Sequence, residues 1–202
     1  QRAAAKGIGE EGDAAVPREH YLDNSATTQV WPEVADLVRE VLVERYGNPS
    51  SLHSKGLEAE LLMKSAAADL ARILNCAPEE LYFTSGGTEA NNWAILSGYE
   101  SRRRRATGVV TTAFEHSSVL EPVQYLAERQ GAQAVFVAPD GEGHIRPADV
   151  LERVDENTAL VSLMAVNNEI GTVLPIQALT AAIKKKAPKA LVHCDGVQAF
   201  GK

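Results

Sequence analysis

The sequence predicts an α/β fold: a mostly parallel sheet with helices on both faces. Three observations carry that expectation. Short apolar runs rich in Val and Leu recur with a spacing of roughly 25 to 30 residues, the length of a strand–helix unit. Segments with helical periodicity lie between them. The runs are nearly continuous rather than alternating, as strands covered on both faces require. At 202 residues, 45% hydrophobic and 23% charged, the chain has the size and composition of one such domain.

Residues 1–20 are rich in Ala, Gly and charge without periodicity, and read as a flexible N-terminal extension. Pro32 suits a first helical turn, and Val34, Leu37, Val38, Val41 and Leu42 form a helical stripe after it. Gly47-Asn48-Pro49-Ser50-Ser51 breaks the stripe, and Met63, Ala67, Leu70 and Leu74 mark a second long helix. The strand–helix rhythm follows. Strands are expected at Leu81–Thr84, Val109–Thr112, Ala134–Val137, Leu160–Met164 and Leu191–Cys194. Helices are expected at Glu89–Gly98, Ser117–Gln130, Ala148–Val154 and Ala178–Lys186. Arg102–Arg105 and Lys184–Lys186 read as basic helix ends favoured by the dipole.

Composition excludes several classes of function. With 20 basic against 27 acidic residues, net −7, nucleic acid is not expected as a partner. No apolar run has membrane-spanning length and no signal-peptide pattern opens the chain. The two cysteines, Cys76 and Cys194, are far apart, which suits a reducing compartment: the cytoplasm, or the matrix of an organelle.

Ligands of open α/β sheets sit beyond the carboxyl ends of the strands, so the residues there are the candidates for a site. Ser85-Gly86-Gly87-Thr88 joins a strand run to a helix; the glycines allow close approach of a ligand, and the first helical amides form a candidate phosphate site. It lacks the lysine of a Walker loop and the three glycines of a dinucleotide fingerprint, and an ordinary Thr-capped turn is the simpler alternative. Glu115-His116-Ser117-Ser118 follows the second run and Asn167-Asn168-Glu169 the fourth. Pro139-Asp140-Gly141, after the third, is turn chemistry only. The fifth ends in His193-Cys194-Asp195-Gly196-Val197-Gln198. His193 and Cys194 point to opposite sheet faces and do not suit one metal ion. Asp195, among apolar neighbours, is costly unless a cation or donors meet it.

Taken together and in order, YLDNSATT, YGNPSSLHSKG, FTSGGTEANN, EHSSV, VNNEIGT and HCDGVQAFGK resemble the pyridoxal-phosphate-dependent cysteine desulfurases, of the NifS/IscS-like group in the class V aminotransferase family. The resemblance runs from about Tyr21 to Lys202 and implies the large domain of fold type I, of which residues 21–202 are the N-terminal part. It implies that Gly87 and Thr88 bind the cofactor phosphate, that His116 stacks on the ring and moves protons, and that Asp195 pairs with the ring nitrogen. Gln198 would reach the phenolic oxygen, and Asn168 would lie beside the cofactor and the substrate carboxylate. The implied reaction takes L-cysteine to L-alanine and leaves the sulfur as a persulfide on an enzyme cysteine, for iron–sulfur or thio-cofactor assembly. A homodimer and a sulfur-acceptor or scaffold protein are the implied partners.

The resemblance also has a gap. The family's cofactor-bearing lysine, in a His-Lys pair before Gly-Pro-Lys-Gly, has no counterpart in these 202 residues, nor do the substrate arginine and the persulfide cysteine. Neither Cys76 nor Cys194 matches the latter, so the sequence reads as a fragment and the 202 residues alone are expected to be inactive. A related family enzyme such as a selenocysteine lyase, or a non-catalytic module that keeps the cofactor cradle, are the other readings.

Overall fold

In the computed structural model, which describes residues 20–201, β1 (Gly108–Thr112), β2 (Gln133–Val137), β3 (Thr158–Met164) and β4 (Leu191–Asp195) form one sheet. Its order is β2–β1–β3–β4 and every pairing is parallel. The expected extension lies, His20 apart, outside the described residues, as does Lys202.

Among the described residues six α-helices accompany the strands: α1 (Pro32–Val43), α2 (Ser54–Leu74), α3 (Gly87–Arg102), α4 (Ser117–Gln130), α5 (Pro147–Arg153) and α6 (Ile176–Lys186). Alternation along the strands divides the core in two. Val109, Leu160 and Leu191 face Ile95 and Tyr99 of α3 and Val119, Val123 and Leu126 of α4. Val110, Val161 and Val192 face the other way, onto Val150 of α5 and Leu179 and Ile183 of α6. The sheet is therefore covered on both faces, which accounts for its nearly unbroken apolar runs.

Local chemistry sets the helix limits. Pro32 opens α1, Asn75 closes α2 in the left-handed region (φ 53°), and Gly131 closes α4 (φ 73°). Pro122 lies inside α4 and has no amide to offer the Ser118 carbonyl four residues back. That carbonyl accepts instead from Asn92 Nδ2 of α3 at 3.3 Å, so the proline converts an intrahelical bond into a tie between helices.

One expected strand is not formed. Leu81–Thr84 is extended but belongs to no ladder, and Tyr82 and Phe83 are 69% and 64% exposed. A strand is a property of a pair, and none of the four strands lies alongside this segment. It follows a one-turn 3₁₀ helix, Pro78–Glu80, and leads directly into α3.

The first helix carries the expected stripe but leaves most of it open: α1 has no fully buried residue, Val41 is half-buried, and Val34, Leu37, Val38 and Leu42 are exposed, with Trp31 beside them. Such an apolar surface favours association. Copies of the chain are expected to self-associate, so sedimentation velocity should show a weight-average mass rising with concentration, reduced by Leu37→Glu. A single monomeric species across the range would refute this.

Candidate functional site

The strand order places a switch point between β1 and β3. The loop leaving β1 leads to α4 on one face, whereas that leaving β3 leads towards α6 on the other. A cavity of about 260 Å³ opens beside these strand ends and the end of β4. Gly87, Thr88, His116, Asn168, Asp195 and Gln198 all line it, so the six residues singled out by the sequence are brought together. Ser25, Asn91, Ser118 and Met164 share the lining.

One wall is the amino end of α3. Gly86, the N-cap residue, supplies no side-chain cap, and the first intrahelical bond runs from Ala90 N to Gly86 O at 3.1 Å. The amides of Gly87, Thr88 and Glu89 precede that bond, at the positive end of a 16-residue helix. The Glu89 carboxylate is turned back onto the Ser85 amide (2.7 Å) and hydroxyl (2.6 Å), which hold it below the usual carboxylate range. A Cβ on Gly87 would come within 2.8 Å of Val197 Cγ2, so this wall presents backbone at Gly87. Free amides on a positive helix end are the donor set an anion such as a phosphate ester needs.

Asp195, 7% exposed, lies at the floor. Its Oδ1 accepts from the Val197 amide at 3.0 Å and its Oδ2 from Asn91 Nδ2 at 2.8 Å. Among the described residues no cation meets this buried carboxylate, and its donors are neutral. A protonated ring nitrogen would complete the set. The chemistry of the two sub-sites therefore fits pyridoxal phosphate.

His116 is the N-cap of α4: Nδ1 accepts from the Ser118 amide at 3.1 Å and lies 2.8 Å from the Ser118 hydroxyl. Gln198 Nε2 donates to the Ser25 carbonyl at 2.9 Å, tying the segment before α1 across the cavity mouth. The two adjacent asparagines divide their work. Asn167 is buried, donates to the Phe114 carbonyl and accepts from the amides of Glu169 and Ile170, so it locks the loop after β3 to the loop after β1. Asn168, half-buried, is the one that reaches the cavity.

Beneath the floor, His193 is bonded through Nδ1 to Ser162 at 2.9 Å, and burial lowers its pKa. Cys194, on the other face, has its thiol pushed up by burial and by the carboxylates of Asp195 and Glu115, the opposite of what a nucleophilic thiol requires.

Sequence reasoning missed two residues. Asn91, 5% exposed, donates both to Asp195 and to the Ser118 hydroxyl, at 2.8 and 2.9 Å. The signal was available, because Asn91, Ile95 and Tyr99 repeat every fourth residue and so share the buried stripe of α3, where an amide must find partners. Glu115, also 5% exposed, accepts through Oε1 from the Thr112 hydroxyl (2.7 Å) and the Met164 amide (2.8 Å), clasping β1 to β3. Its Oε2 is buried without a partner. Burial, with a contribution from Asp195, raises its pKa from 4.5 to about 7.

Comparison with known proteins bears on this geometry. A family model described as Aminotransferase class-V matches residues 20–202. A protein named cysteine desulfurase IscS, from Clostridium botulinum, is 36% identical over 90% of the chain and 45% of its own length. A selenocysteine lyase of Xenopus tropicalis is 37% identical over 96% of the chain and 50% of its own. The solved structure of a NifS-like protein superposes with a TM-score of 0.84 at 40% identity, covering 89% of this chain and 49% of that one. The chain thus spans about half the length of the relatives it matches.

Proposed function

The chain belongs to the class V aminotransferase family, and from that premise we propose that it forms the cofactor-binding half of a pyridoxal-phosphate-dependent cysteine desulfurase. The observation that carries this reading is the pairing, in one cavity, of a helix amino end with a buried carboxylate that no cation meets. Gly87 and Thr88 would hold the phosphate, and Asp195 would pair with the protonated ring nitrogen. His116 would stack on the ring and serve in proton transfer, Gln198 would meet the phenolic oxygen, and Asn168 would lie beside the cofactor and the substrate carboxylate. When bound, the cofactor supplies an electron sink, deepest when its ring nitrogen keeps its proton.

The substrate of this reading is L-cysteine, converted to L-alanine with transfer of sulfur to a cysteine and then to an acceptor protein; two copies of the protein associate around the sites. The identity to a selenocysteine lyase supports a second reading in which selenocysteine is the substrate. Alanine release by the complete gene product from each amino acid in turn separates the two.

Titration of pyridoxal phosphate into the 202-residue chain tests the cradle directly. Saturable binding at one site is expected. Gly87→Val, which puts side-chain atoms where Val197 already lies, should weaken it about tenfold, roughly what the loss of one or two phosphate contacts is worth. Pyridoxal without the phosphate should be indifferent to that change. Borohydride reduction followed by peptide mapping should find no stoichiometric attachment to a lysine of this chain. Binding that never saturates, or equal losses for both ligands, would refute the assignment of the phosphate wall.

A further inference from the structure

We propose that Asn91 is a positioning residue that fixes which nitrogen of His116 carries the hydrogen. A chain of four side chains runs across the site: Asp195 Oδ2 to Asn91 Nδ2 at 2.8 Å, Asn91 Nδ2 to Ser118 Oγ at 2.9 Å, and Ser118 Oγ to His116 Nδ1 at 2.8 Å. Each link leaves the next a single choice.

Asp195 offers only oxygens, so Asn91 must present its amide nitrogen to it; turned over, two acceptors would face each other at 2.8 Å. Both hydrogens of that nitrogen are then committed, one to Asp195 and one to Ser118. The Ser118 oxygen acts as acceptor towards Asn91, which leaves its own hydrogen for His116 Nδ1. The Ser118 amide donates to the same Nδ1 at 3.1 Å. Two donors meet Nδ1, so it holds a lone pair, and the hydrogen of the neutral ring is on Nε2.

The consequence for chemistry rests on the function proposed above; the tautomer itself does not. In its neutral form His116 can donate a hydrogen bond through Nε2 and cannot take up a proton at that atom. A proton taken up by the neutral ring goes to Nδ1, on the Ser118 side. The carboxylate that would hold the cofactor ring and the His116 imidazole are thereby coupled through Asn91, a buried residue on the cavity wall.

The test is nitrogen-15 NMR of the ligand-free chain with labelled histidine at about pH 8.5, where ordinary imidazoles are neutral. The His116 signals are identified by their loss in His116→Gln. The wild-type chain is expected to show Nδ1 unprotonated and Nε2 protonated. In Asn91→Asp the two facing carboxyls share one proton, and the oxygen that faces Ser118 takes its hydrogen, so the hydroxyl turns from donor to acceptor at His116. The ratio of the Nε2–H to the Nδ1–H form should fall by at least about fivefold, the value of one net hydrogen bond.

Asp195→Asn forces the same reversal from the other end. Its oxygen must stay with the Val197 amide, so its nitrogen faces Asn91 and obliges that side chain to turn. A native amide spectrum verifies folding in each variant, and if one variant fails to fold the other decides. A wild-type ring with the hydrogen on Nδ1, or an unchanged ratio in a folded variant, overturns the proposal. Cofactor titration of the wild-type chain is a separate measurement, so failure of the proposed function and failure of this relay are told apart.

Discussion

Replacing Asp195 with alanine is expected to weaken binding of pyridoxal phosphate by about a hundredfold, the largest loss from any single side chain of the cavity. The magnitude follows from its setting. A charge-assisted contact in a buried site is worth about 2–5 kcal/mol when one partner is removed, and about 2.7 kcal/mol is a hundredfold in affinity. Asp195 is 7% exposed, and its present partners, the Val197 amide and Asn91, are neutral. Water therefore screens the contact weakly, and no second acid replaces it.

The same setting predicts an asymmetry between binding and stability. A buried carboxylate without a cation costs the ligand-free chain free energy. Asp195→Asn keeps the volume and removes the charge, so the unfolding midpoint without cofactor should hold or rise while affinity collapses. A purely structural residue would lose both together. Fluorescence titration alongside urea unfolding checks this, and an affinity within threefold of wild type would refute the ring-nitrogen assignment. Pyridoxal lacking the phosphate should lose as much as the full cofactor, the reverse of the pattern expected for Gly87→Val.

Much of this arrangement is legible in the sequence because parallel βα units put every strand end on one rim. Once Val109–Thr112, Leu160–Met164 and Leu191–Cys194 read as strands, His116, Asn168 and Asp195 have to converge. What was not legible depends on partners remote in sequence. Leu81–Thr84 has the composition of a strand, but composition cannot say whether a ladder lies beside it, and none does among the described residues. The exposed stripe of α1 shows the same limit, since periodicity finds an apolar face without finding what covers it. Spacing and composition do not separate Asn167 from Asn168, although the resemblance pointed to Asn168. Only the loop conformation turns the first into a clasp and the second towards the cavity. Asn91 acts through residues 27 and 104 positions away and Glu115 through Met164, 49 positions on; the stripe of α3 marks Asn91 as buried without saying which partners it finds.

Glu115 gives the second large effect, a loss of stability as pH rises. Its ordinary value of 4.5 governs the unfolded chain, whereas burial raises it to about 7 in the folded one. Below about pH 4.5 both states hold the proton and the contribution of this group is complete. Between about 4.5 and 7 the folded state keeps a proton that the unfolded state has released, so unfolding gains with each step of pH. Above about 7 both are ionised, and the loss has reached about 3 kcal/mol. His193 works in the opposite direction, since burial lowers its pKa and the folded state binds protons less readily than the unfolded one. The wild-type curve is thus a sum, and the informative quantity is its difference from Glu115→Gln. Glutamine reproduces the protonated acid: its oxygen accepts from Thr112 and the Met164 amide, and its nitrogen takes the place of the partnerless Oε2. The difference should change by about 3 kcal/mol between pH 4.5 and 7 in the variant's favour and be flat on either side, measured by urea unfolding in matched buffers. Parallel curves would show that Glu115 is ionised in the folded protein at neutral pH. A proton held on Glu115 also bears on the cavity, because it removes a negative charge from beside Asp195.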